Sequence, residues 1–284
     1  MVDDHARIDY LNAKRSVDER AFARSVRERL LAALPERPTV FEAGAGTGVT
    51  VPRLLEWGVE AGRYRGVERA EALVEHARTA RAAELEAAGY DPVETDRGFR
   101  VEELSVAFEA GDALAAVDGV DAGLDLLVAQ AFMDVVAVEP AVAAFERALS
   151  PGGLAYFPIT FDAGTIFQPS HPADDAVERA YHRAIDARES RDSRAGRRLL
   201  DLLGRADGDL LAVGASDWVV RPRDGSYPAD EALFLSCILD FVADALAGGE
   251  VAEFDDWIET RRDQLAAGEL SYVAHQYDLL YRAP

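Results

Sequence analysis

Apolar positions along this chain fall into two alternating rhythms. Continuous runs at 39–43, 64–68, 105–110, 124–130 and 153–160 read as buried strands. Between them apolar residues return every three or four positions, as on a helix with one buried face. The alternation predicts an α/β fold, doubly wound around a mainly parallel sheet, with its ligand at the carboxyl ends of the strands near the switch in strand order. Ahead of the first strand, Val17, Phe22, Val26, Leu30, Leu31 and Leu34 give residues 16–34 a helical period, which Pro35 closes. The stretch 86–103, with Gly89, Pro92 and Gly98, reads as an irregular surface connection.

After Phe161 the pattern changes. Helices are expected at 173–188, 195–206, 229–247 and 252–267, with a strand from Asp209 to Val220 bent at Gly214 and a last strand at 271–280. This divides one domain into an N-terminal helical cap (1–36), a core (37–161) and a region of cap helices with the last two strands (162–284). Structure added over a crevice commonly forms a lid for a small molecule. No internal repeat or low-complexity tract interrupts the chain.

The densest local signal is Val40-Phe41-Glu42-Ala43-Gly44-Ala45-Gly46-Thr47-Gly48-Val49. An apolar run ends in an acid, and three glycines then alternate with small residues before a helix. Glycines so spaced let the backbone turn sharply and come close to a ligand. The dinucleotide fingerprint Gly-x-Gly-x-x-Gly would need glycine at position 49, which is Val49. About 20 residues on, Tyr64-Arg65-Gly66-Val67-Glu68 ends a second strand in an acid, where a carboxylate can accept ribose hydroxyls in several kinds of nucleoside site.

The glycine motif resembles the first motif of the class I S-adenosylmethionine-dependent methyltransferases, acid-x-Gly-x-Gly-x-Gly. Further segments match the same family in order: Gly111-Asp112 after a third strand, Leu124 to Asp134 as a fourth strand and loop, and Leu149-Ser150-Pro151-Gly152-Gly153 before the fifth. The resemblance covers residues 38–160 well and the flanks by topology alone. It implies a seven-stranded, mainly parallel sheet with an antiparallel edge strand and a helical cap, with S-adenosylmethionine as cofactor. In that scheme Gly44, Gly46 and Gly48 shape the cofactor loop, and Glu42 answers the methionine ammonium through its neighbours. Glu68 binds ribose, Asp112 contacts adenine, and Gln130 lies beside the sulfonium.

Composition narrows the setting. Apolar residues make up 49% of 284, enough for a large core. The one cysteine, Cys237, reads as a small buried hydrophobe. No apolar run reaches the ~20 residues of a membrane span, and Met1-Val2-Asp3-Asp4-His5 lacks the pattern of a signal peptide, so a cytoplasmic setting is expected. A net charge of −22 argues against nucleic acid as substrate. Dispersed carboxylates, a single lysine (Lys14) and abundant alanine read as adaptation to concentrated salt, that is, a halophilic source.

Methyl transfer requires positioning, exclusion of water and, for a hydroxyl or protonated amine, a base. His182 on the first cap helix and His171 in the loop leaving the fifth strand are the leading candidates, ahead of His275. His5 and His76 read as solvated, and a hydrogen-bonded structural role is the competing account for any of them. Asp134 is a further candidate base, or equally the N-cap of the next helix. Lys14, Arg15 and Arg20, with Arg191 and Arg194, either hold a substrate carboxylate or phosphate or pair with surface acids. Tyr10 and Asn12 are expected to close over the cofactor. No metal motif appears. The reading is methyl transfer to oxygen or nitrogen of a small molecule by a monomer or homodimer. An NAD-dependent oxidoreductase and a catalytically silent S-adenosylmethionine- or nucleoside-binding module are the alternatives.

Overall fold

The computed structural model describes residues 7–120, 123–249 and 251–284; His5 lies outside them. In chain order the elements are α1 (Ile8–Ala13), α2 (Arg15–Ala21), α3 (Arg24–Ala33), β1 (Thr39–Ala43), α4 (Thr50–Glu56), β2 (Ala61–Glu68), α5 (Glu71–Ala87), β3 (Val93–Thr95), β4 (Gly98–Val101), β5 (Glu103–Ala110), α6 (Ala113–Asp118), β6 (Leu124–Val128), α7 (Val138–Ala148), β7 (Leu149–Gln168), α8 (Asp174–Asp186), α9 (Ala195–Leu203), β8 (Asp209–Ala215), β9 (Trp218–Val220), α10 (Glu231–Ala245), α11 (Phe254–Ala266) and β10 (Ser271–Arg282).

Strand order is β3-β4-β5-β2-β1-β6-β7-β10-β8, with β9 also on β10. The stretch β5-β2-β1-β6-β7 is parallel throughout, as the buried apolar runs require. From β1 the chain passes first to β2 on one side and later to β6 on the other. The switch point therefore lies between β1 and β6. Along β1, Val40 and Phe41 enter separate hydrophobic clusters: Val40 with Val26, Leu54 and Val74, and Phe41 with Ala141, Phe145 and Leu199.

The sheet has ten strands rather than the seven expected: besides β5-β2-β1-β6-β7-β10-β8 it includes β3 and β4 at one edge and β9 on β10. The stretch 86–103 is thus not irregular. Phe99 and Val101 are buried and Arg100 is exposed, the alternation of a half-buried strand, and β4 pairs antiparallel with β5. The helix expected over 16–34 is two helices. The backbone leaves helical geometry at Phe22 (φ −49°, ψ 128°), and the Ala23 N–H donates to Asp278 Oδ2 at 2.8 Å. The bend expected at Gly214 falls at Ser216–Asp217, between β8 and β9.

β7 and β10 form one long antiparallel pair, from Leu154↔Arg282 to Gln168↔Ser271. Ile159 interrupts β7 with φ 57°, and its N–H is held by Asp278 Oδ1 at 2.9 Å. Beyond that point the pair leaves the core and carries the cap cluster, in which Phe167, Tyr272, Phe234 and Trp257 pack together. No helix among the described residues is long and apolar enough to cross a membrane.

Candidate active site

A cavity of about 330 Å³ opens at the carboxyl ends of β1, β2, β5 and β6 and continues beneath the cap. Its first half is built from the glycine loop. Gly44, Gly46 and Gly48 all have positive φ (71°, 52° and 75°). A Cβ at Gly44 would sit 2.7 Å from the Phe132 ring, and one at Gly48 2.7 Å from Phe108. The bare backbone is therefore needed for packing as well as conformation. Gly44 and Ala45 donate to Val67 O at 2.9 and 3.1 Å, which clamps the turn to the end of β2. Gly44 and Gly46 line the cavity; Gly48 stands behind them.

Glu42 is 2% exposed at the cavity wall and accepts from Thr50 Oγ1 at 2.7 Å and from the Tyr64 hydroxyl. Burial outweighs these bonds and pushes its carboxyl up to about 7. Glu68 accepts from the N–H groups of Gly46 (Oε2, 3.1 Å) and Ala70 (Oε1, 3.0 Å). A carboxylate has about four lone-pair directions, so two remain for hydroxyls. Asp112 caps α6 through Oδ1, at 2.9 and 3.0 Å from the Leu114 and Ala115 nitrogens, while Oδ2 receives Arg69 at 2.8 Å. These backbone bonds, with Arg69, hold its carboxyl below the usual range.

Gln130, at the end of β6, joins the two halves. Its Oε1 accepts from Arg53 at 2.8 Å and its Nε2 donates to Asp18 Oδ2 at 2.8 Å. Asp18, 1% exposed on α2, also receives Trp218 Nε1 at 2.8 Å and pairs with Lys14 Nζ at 3.1 Å. Lys14, the only lysine, lies over the Trp218 ring. This buried network ties the N-terminal helices to β6 and β9 and completes one cavity wall. The sequence carried no local signal for Asp18, Trp218 or Arg53, because they meet only in the folded chain.

The second half is aromatic. Tyr10, Phe161, Tyr181, Trp218, Phe241 and Tyr272 line it. Tyr10 lines the cavity on this aromatic side, and Asn12 does not line it. The 3₁₀ turn Met133–Val135 brings Asp134 to the same wall, where its Oδ1 is shielded from water without a hydrogen-bond partner and burial raises its pKa. Asp134 is thus not the N-cap of α7, whose N-cap position is Ala137.

Neither leading histidine lines the cavity. α8 presents Tyr181, Ala184 and Ile185 to it, one helical stripe that Arg188 continues just past the helix end, and His182 is about 100° round from Tyr181. His182 Nε2 lies instead 2.9 Å from Thr165 Oγ1 on β7, and burial lowers its pKa. His171 sits ahead of α8, with Nδ1 accepting from Ala173 N at 3.1 Å and Nε2 3.2 Å from Asp256. His275 pairs with Asp217 at 2.8 Å. Of the basic residues, Arg15 pairs with Glu19 and Glu84, and Arg20 with Glu231; Lys14, paired with Asp18, and Arg191 line the cavity, and Arg194 does not. No group of three or more metal-ligating side chains assembles among the described residues.

No protein-family model matches the chain, and no curated protein does. Solved structures similar to it include an S-adenosylmethionine-dependent methyltransferase from Thiobacillus denitrificans in complex with S-adenosylhomocysteine. That likeness has 19% identity and a TM-score of 0.48, over 96% of this chain and 98% of that one. A methyltransferase from Geobacter sulfurreducens, also with S-adenosylhomocysteine, has 16% identity and a TM-score of 0.45, over 93% and 92%. A geranyl diphosphate methyltransferase in complex with S-adenosylmethionine has 14% identity and a TM-score of 0.47, over 92% and 85%.

Proposed function

We propose that this chain is an enzyme that transfers a methyl group from S-adenosylmethionine to oxygen or nitrogen of a small molecule. The observation that carries the reading is one continuous cavity. It joins a glycine loop and strand-end carboxylates to a shielded aromatic compartment containing a partnerless carboxylate oxygen. The residues fit the cofactor: open backbone at Gly44 and Gly46, spare acceptor sites on Glu68, and the carboxylate of Asp112 on the same wall. When bound, the cofactor supplies an electrophilic methyl group.

The chain's own residues then have three tasks. Gln130, held between Arg53 and Asp18, fixes the wall between the two halves. The aromatic compartment orients the acceptor and keeps water away from it. Asp134 takes at Oδ1 the proton that the acceptor's hydroxyl or ammonium loses; burial raises its pKa and makes it a stronger base than an exposed aspartate. The shielded compartment favours catalysis over a silent binding module.

Calorimetric titration with S-adenosylhomocysteine and, separately, NAD tests the reading, in concentrated salt to suit so acidic a surface. Binding of the former alone is expected. Glu68→Ala should weaken it by roughly 1–3 kcal/mol, the cost of unpairing buried hydroxyls. Binding of NAD alone would overturn the reading in favour of an oxidoreductase.

A further inference from the structure

Resting on the methyltransferase reading, we infer that the methyl acceptor is a planar ring molecule carrying a carboxamide or lactam edge, and that Gln276 is the residue that selects it. Gln276 is 1% exposed and yet lines the cavity. Its main chain is firmly held: the N–H donates to Asp217 Oδ1 at 3.2 Å, and the carbonyl accepts from Ser216 N at 2.9 Å. Across the strand pair it stands opposite Phe161, another cavity residue. The side chain is not engaged in the same way. Oε1 is buried without a hydrogen-bond partner, and among the described residues nothing accepts from Nε2.

A buried carboxamide left unpaired carries its full desolvation cost, and buried polar groups are otherwise nearly always bonded. Its place at the cavity wall is accounted for when the occupant supplies the missing partners. A half-turn of the amide exchanges oxygen and nitrogen, so the cavity meets an acceptor and a donor side by side. The complementary group sets a donor beside an acceptor in one plane, as the H–N–C=O edge of a carboxamide or lactam does. A carboxylate or ester brings acceptors alone and leaves Oε1 unpaired, whereas an ammonium brings donors alone and leaves Nε2 unpaired. Tyr10, Tyr181, Trp218 and Tyr272 line the same compartment, where a flat ring packs well. Asp134, on the cavity wall, then serves a hydroxyl or amino group carried elsewhere on that ring.

The test titrates 3- and 4-hydroxybenzamide, and the matching 3- and 4-hydroxyacetophenones, into the protein saturated with S-adenosylhomocysteine. Each pair shares ring, hydroxyl and carbonyl, and differs only in an amide NH₂ against a methyl group of similar size. At least one benzamide should bind about tenfold or more tighter than its acetophenone, a difference of about 1.4 kcal/mol. In Gln276→Met, which keeps the length and removes the carboxamide, that preference should vanish while acetophenone affinity stays that of the parent. The melting temperature should not fall, because the carboxamide has no bond within the protein to lose. Equal affinity within both pairs, a preference surviving the substitution, or no binding by any probe overturns the inference. If Gln276→Met does not fold, the comparison in the parent and in Gln276→Leu decides. If S-adenosylhomocysteine itself fails to bind the parent, the cofactor reading falls separately, and the same probes titrated into the protein alone still decide this one.

Discussion

Replacing Glu42 by glutamine isolates a buried carboxyl whose proton is coupled to folding. In the native chain burial moves its pKa from the ordinary 4.5 to about 7. At about 1.4 kcal/mol per pH unit, ionising it inside the fold costs roughly 3 kcal/mol more than in the unfolded chain. The folded state therefore holds the proton at pH values where the unfolded state has released it. Its contribution to stability is full below 4.5, falls as pH rises through 7, and is constant above. Glutamine keeps the shape and can still bond Thr50 and Tyr64, but it has no proton to lose. Urea unfolding of both proteins at fixed salt, from about pH 4.5 to 8, should show the Glu42→Gln variant gaining on the parent by up to roughly 3 kcal/mol across that interval. Asp134 and Asp278 titrate in both proteins, so the difference curve removes them. Parallel stability curves would refute the reasoning, because they would mean that Glu42 is as easily ionised in the fold as out of it.

Other perturbations probe other parts of the site. Gly44→Ala puts a Cβ into Phe132 at φ 71° and should destabilise the protein by about 1–2 kcal/mol from backbone strain alone, with weaker S-adenosylhomocysteine binding, read by thermal melting and calorimetry. Asp134→Asn should lower kcat by about 10²–10⁴ and leave S-adenosylhomocysteine affinity unchanged; full turnover would remove it as the base. His182→Ala should cost about 1 kcal/mol of stability through the lost Thr165 contact and leave kcat intact. Asp18→Ala strands the buried Lys14 ammonium and should destabilise by about 3–5 kcal/mol in urea titrations.

The glycine loop and β1 are legible in the sequence because their signals are local: an apolar run of strand length, an acid, then residues that tolerate positive φ. The placement of Asp134 follows equally from its position just past β6. The break at Phe22 had a faint signal, a five-residue gap between Val17 and Phe22 in an otherwise three-to-four rhythm. Its cause, the Asp278 carboxylate, lies 255 residues away from Ala23. The same holds for Asp18 and Trp218, separated by 200 residues and joined by one hydrogen bond. Gln276 reads in sequence as an ordinary strand residue. The histidines misled because chemistry was assigned to residue type before the facing side of α8 was known.

The long β7–β10 pair also bears on how such a chain can change over generations. The residues suited to a nucleoside lie between 42 and 130, while four of the compartment's aromatic side chains lie after 168, Tyr181 and Phe241 on helices α8 and α10 and Trp218 and Tyr272 on strands β9 and β10. The paired strands β7 and β10 contribute Ile159, Phe161, Thr165, Tyr272 and Gln276 to the cavity wall and carry the cap cluster on the same two strands that join the sheet. Substitutions on α8 or α10 can therefore alter what the enzyme acts upon without disturbing the loop at Gly44. A substitution at Asp278 or Ile159, where the shared strands kink, would be felt by both, which makes that kink the least replaceable point in the lineage of this protein.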